Sequence, residues 1–178
     1  MKILLAGLAL LVATNAAPLF AKGDAGGKAA KTKKGASTPT VDPNTAAAKA
    51  HGGKVWILAS SPPGAEGDEL VKWLSSHPSV SELSKKPNEE RWPINYLAVF
   101  KKPPAKGSMT IRFVDKKEPG TLVAEESSQT PSGGLVFQEP YDLDTNNGFN
   151  KGHTYIMKVG QLIKGKFVTY ATAEVALK

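Results

Sequence analysis

Met109-Thr110-Ile111-Arg112-Phe113-Val114 sets large apolar side chains at every second position, with Thr110 and Arg112 between the first three. A period of two marks a strand with one face buried, because successive side chains leave a pleated backbone on opposite sides. The same period runs through Ile94, Tyr96, Ala98 and Phe100, alternating with Asn95, Leu97 and Val99, until Lys101-Lys102-Pro103-Pro104 ends it. Working outward, strands are expected at Val55–Ala59, Thr121–Ala124, Leu135–Phe137, His153–Ile163 and Lys166–Ala176, the last two joined through Lys164-Gly165. About seven strands at turn-rich intervals predict a mainly β domain, a single sandwich over residues 55–178. A short helical insert is expected near 68–86. Leu70, Val71, Trp73 and Leu74 supply one helical face, Asp68 the cap and His77-Pro78 the stop, while Ser79 and Glu82 have capping-box spacing for one further turn.

The N-terminus reads differently. Lys2 precedes an apolar and small-residue run from Ile3 to Ala13, then a polar break at Thr14 and Asn15. Those 11 residues suit a signal peptide and fall short of the ~20 that span a bilayer. Residues 1–21 are therefore expected to be cleaved after Ala21, leaving Lys22 first and no transmembrane segment in the mature chain. From Lys22 to Lys54 seven lysines face two aspartates, so most of the net charge of +7 belongs to this stretch and residues 55–178 are nearly neutral. Val41 is its only large aliphatic side chain. Such a sequence cannot bury enough apolar surface to offset the entropy of ordering, which predicts a disordered basic linker over 22–54, roughly 30 Å end to end. It suits a tether, or contact with an anionic surface polymer. Nucleic acid is excluded as a partner by the export signal and by the lack of aromatic residues among the lysines. The chain has no cysteine. Disulfides, thiolate chemistry and lipid attachment through an N-terminal cysteine are thereby excluded, and an exported chain without disulfides points to a bacterial periplasmic or secreted protein.

Phe149, Gly152, Thr154, Tyr155, Met157 and Val159 fall where fibronectin type III modules place an apolar residue six before a tyrosine that heads an alternating strand. The stretch resembles that part of the immunoglobulin-like sandwiches. The resemblance implies a fold commonly used for binding, with the Tyr155 phenol turned back to a nearby backbone group. It carries no implication of catalysis.

Catalytic spacing is otherwise sparse. His51, His77 and His153 form no His-x-x-x-His or His-Glu-x-x-His pattern, and no serine stands in a nucleophile motif. Glu125 and Glu126, if on a strand, point to opposite faces. Asp142, Asp144 and Asn146, ahead of Gly148, resemble the start of a calcium loop. The glycine comes at position seven, however, and His153 stands where a bidentate glutamate is required, so an Asx-type turn competes with a calcium site. Trp56 and Trp73 lie in apolar patterns and are expected in the core. Trp92, beside Arg91 and Pro93, is expected to be exposed as a binding residue, with Arg91 next to it.

These readings predict an exported, non-catalytic binding or accessory module without a cofactor, contacting an envelope or secreted protein or a surface polymer. Two alternatives stand beside it. One is an assembly subunit working by β-strand addition. The other is an enzyme on envelope polymers using Asp142, Asp144 and His153.

Overall fold

The computed structural model describes residues 41–178 apart from 87, 88 and 119. The expected signal peptide and the linker up to residue 40 lie outside the described residues. The rest is mainly β: eight strands where about seven were expected, with two short helices. The elements are α1 (Thr45–His51), β1 (Lys54–Leu58), α2 (Gly67–Ser76), β2 (Glu82–Leu83), β3 (Arg91–Val99), β4 (Gly107–Asp115), β5 (Leu122–Ser132), β6 (Val136–Asp144), β7 (Thr154–Ile163) and β8 (Lys166–Leu177), with a 3-10 turn at Thr145–Asn147. Among the described residues no helix is long and apolar enough to cross a membrane.

The strands form one curled sheet in the order β5-β4-β7-β8-β1-β3-β6, with β2 also paired to β8. All neighbours run antiparallel except β1 and β2, which run parallel to β8. The parallel join of β8 to β1 is narrow, with Lys54 opposite Thr172. The two halves of the sheet thus face each other across a common core. Ile94, Tyr96 and Ala98 of β3, Ile111 and Phe113 of β4, Tyr155, Met157 and Val159 of β7 and Val175 of β8 all lie in it.

A second, smaller core explains why β1 and the end of β3 are apolar at both parities. Trp56 and Leu58 of β1 and Leu97 and Val99 of β3 point away from the main core and are covered by Leu70 and Leu74 of α2 and Ala47 of α1. A strand buried on both faces loses its polar alternation.

Three local expectations are corrected. Residues 41–54 belong to the domain and not to a disordered linker: Ala47 is 0 % exposed, Asn44 Oδ1 accepts the Gly67 N–H at 3.2 Å, and Asp42 Oδ2 accepts the Leu135 N–H at 3.0 Å. The helix starts one residue before Asp68, with Glu66 at its cap position. The turn expected from Ser79 and Glu82 is instead β2, whose Leu83 enters the core while its carbonyl accepts the Lys178 N–H at 2.8 Å. Tertiary pairing overrides a local capping preference worth about 1 kcal/mol.

Gly160 shows how tightly the sheet curls. It sits at a register shift between β7 and β8, and a Cβ there would overlap the Val168 carbonyl oxygen. Gly160→Ala is therefore expected to destabilise the domain by about 1–3 kcal/mol, read as a lower urea midpoint with unchanged slope.

Candidate functional site

The terminal strands of the sheet, β5 and β6, are consecutive in the chain, yet each bonds only its inner neighbour, β4 or β3. Among the described residues no backbone hydrogen bond joins them, so the curled sheet has an open seam. Register identifies what faces into it. Glu126 lies opposite Ile111, and Glu139 opposite Tyr96, so both carboxylates occupy inward positions at free edges. Inward charge on an edge strand opposes closure, because pairing the edges would strip water from the carboxylates.

The seam is bridged by side chains instead. Ser128 Oγ donates to Glu139 Oε1, and the buried Tyr96 hydroxyl donates to Glu139 Oε2 at 3.4 Å. Towards the other end, a cleft of about 490 Å3 opens between Val123, Ala124, Glu125 and Glu126 of β5, Tyr141 of β6, and Asn146, Asn147 and Gly148. Burial raises the Tyr96 phenol far above the ordinary tyrosine value, and the charges of Glu139 and then Glu126 add to the shift. Tyr141 is raised for the same reasons, burial first and Glu126 second. The site is acidic and tyrosine-lined, flanked by two unpaired strand edges. Its chemistry suits cationic side chains on an extended backbone.

Glu125 and Glu126 do point to opposite faces: Glu125 pairs outward with Arg112, whose guanidinium lies 4.3 Å from the Phe167 ring centroid. The other candidates from the sequence are scattered. Asp142 pairs with Arg91 at 3.2 Å on the surface. Asp144 Oδ1 accepts both the Asn146 N–H at 2.7 Å and its side-chain amide at 2.9 Å, capping the 3-10 turn that Gly148 ends at φ 87°. Asp144 and Asn146 thus form the Asx-type turn, and Asp142 stands outside it. No group of three or more His, Cys, Asp or Glu side chains able to hold a metal occurs among the described residues. His153 Nδ1 lies 2.5 Å from Asp115 Oδ2, so it is turned to Asp115. Trp92 is not exposed. It is 2 % accessible and continues the inward row of Ile94 and Tyr96, where β6 is the paired neighbour of β3 and the missing N–H of Pro93 is tolerated. Trp56 is buried as expected, while Trp73 is half-buried and stacks on His77 at 4.6 Å.

The Tyr155 phenol does turn back: its oxygen accepts the Asn150 N–H at 2.7 Å, and its ring meets Phe149 edge-on. Nearby Asp115, buried at the inward end of β4, accepts from the Lys117 N–H at 2.8 Å as well as contacting His153. Burial pushes the Asp115 carboxyl up, but the hydrogen bonds from His153 and Lys117 outweigh it and hold the group below the ordinary carboxylate value.

Ser128, Glu139, Tyr141 and Asp115 escaped the sequence reading, while Tyr96 was placed in an alternating strand but given no role. For the first four the signal was a polar residue at an inward parity, visible only once the partner strand and register are known.

Two titrations follow. A lowered folded pKa gives Asp115 a contribution that is present above the unfolded value of ~4 and is lost as pH falls through the folded value. Asp115→Asn is expected to cost about 2 kcal/mol at neutral pH, with variant and parent converging in acid in pH-dependent urea titrations. For Tyr96 the raised value means its contribution is full below ~10 and declines as pH rises through the folded value. Its phenolate absorbance should appear only as the domain unfolds in alkali, and should be identified by its absence in Tyr96→Phe. No protein-family model, curated protein or solved structure matches this chain, so its function rests on this geometry.

Proposed function

We propose that the chain is an exported, non-catalytic binding module of a bacterial envelope or secretome that takes an extended segment of a partner protein into the seam between β5 and β6. One observation carries the reading: two strands that share no ladder with each other, β5 and β6, flank a cleft lined by Glu126 and Tyr141. A free edge offers backbone donors and acceptors in a row, and the cleft offers Glu126 and Tyr141 to alternate side chains of an added strand. Lysine or arginine at one of those positions matches the charge of the seam. The signal-like residues 1–21 support export, and the bond between Tyr155 and Asn150 supports the likeness to immunoglobulin-like binding modules.

The test is photo-crosslinking in cells from a benzoylphenylalanine at Tyr141, followed by hydrogen exchange of the chain with the purified partner. Residues 122–128 and 136–144 are expected to gain protection. Glu126→Lys should weaken the partner by about tenfold, while Glu174→Lys, the same charge change at an exposed ion pair on the interior strand β8, should leave affinity within about twofold. Protection confined to other strands, or equal losses from both reversals, would remove the seam from the proposal.

A further inference from the structure

The tip of the β7–β8 hairpin is apolar on both of its faces. Leu162 is paired with Phe167, and Gln161 and Ile163 with Val168 and Lys166, so alternation puts Leu162 and Phe167 on one face and Ile163 and Val168 on the other. Leu162, Ile163 and Val168 are 46 %, 37 % and 38 % exposed, three of the five large hydrophobic side chains left exposed among the described residues. Their concentration on one hairpin marks an interaction surface. The turn between the strands is Lys164-Gly165, with φ 50° and 76°. That left-handed backbone favours asparagine or glycine at its first position, so turn geometry does not account for a lysine there.

The same end of the sheet gathers unpaired cations. Thr110 of β4 lies opposite Gly160 of β7, which brings the loop between β3 and β4 beside the hairpin. The buried Gln161 amide fastens it there, donating to the Ala105 carbonyl at 2.9 Å and accepting from the Tyr170 hydroxyl at 3.1 Å. That loop carries Lys101, Lys102 and Lys106, all exposed, and the hairpin adds Lys164 and Lys166. None of the five engages in an ion pair among the described residues, whereas at the far end of the sheet Arg91, Lys116 and Lys178 pair with Asp142, Glu174 and Glu82. No aspartate or glutamate occurs in 99–114, 127–138 or 159–173. Asp42 approaches the start of β6, but its two oxygens accept the Asn44 and Leu135 N–H groups.

We propose that this end of the domain docks on an anionic phospholipid bilayer, with the hairpin tip entering the headgroup layer. A flat protein surface would cover one face of the hairpin, whereas a bilayer interface surrounds both. Leu162, Ile163 and Val168 then reach the acyl boundary, and the five lysines meet lipid phosphates, their aliphatic stems lying along the apolar layer. The acidic cleft of the seam, beside Asn146 and Gly148 at the opposite end of the sheet, stays open to solvent in this orientation.

The chain has no cysteine, so Ile163→Cys places a single environment-sensitive nitrobenzoxadiazole label at the tip of the full chain, and Lys151→Cys places one at the far end. Because residues 22–54 also carry lysines, the readout is this local label and not sedimentation. With phosphatidylglycerol vesicles the label at 163 is expected to brighten, shift to the blue and be quenched by lipid bearing a nitroxide on its acyl chain. The label at 151 should stay unchanged, and phosphatidylcholine vesicles should move neither. Lys164→Asn with Lys166→Gln, which suits the turn, should raise the lipid concentration at half response about tenfold. A silent label at 163, an equal response at 151, an equal response to phosphatidylcholine, or an unshifted midpoint in the double variant would each overturn the proposal.

Discussion

A sheet that curls back on itself without closing must keep its two free edges from pairing with each other, and that constraint organises this domain. The device is charge at inward positions. Glu126 and Glu139 stand where Ile111 and Tyr96, across the ladder, are apolar or aromatic, so closure would bury two carboxylates in the seam. Ser128, from β5, reaches Glu139 across the seam without a backbone ladder, and Tyr96, from the neighbouring strand β3, satisfies its other oxygen. Tyr96 is consequently core by its ring and polar by its tip. The opposite problem, an apolar outer face on β1 and β3, is solved by covering it with α1 and α2.

The parts of the fold that were legible in the sequence are those whose neighbours share one environment. The start of β3 and the strands β4, β7 and β8 alternate because each has one face on the main core, and the Tyr155 corner is local, its partner Asn150 lying five residues away. The illegible parts depend on remote pairing. α1 packs through Ala47, whose side chain is too small to mark a core position in a lysine-rich stretch. β2 exists because the end of β8 passes beside it. Trp92 read as exposed because Arg91 and Pro93 flank it, yet parity within β3 turns it inward, and parity could be assigned only once the strand was known to begin at Arg91. The seam was hidden for the same reason, since Glu126 and Glu139 acquire a direction only from their register partners.

The position of β8 in the sheet has a consequence for the order of folding. This final strand separates the β5-β4-β7 side from the β1-β3-β6 side, and it supplies the partner for β2 as well. Until residues 166–177 are available, the two sides have no shared ladder, however well each forms alone. Contacts between such distant parts of the chain make folding slow. Each side is a set of antiparallel ladders, and the two become one sheet only when this stretch lies between them.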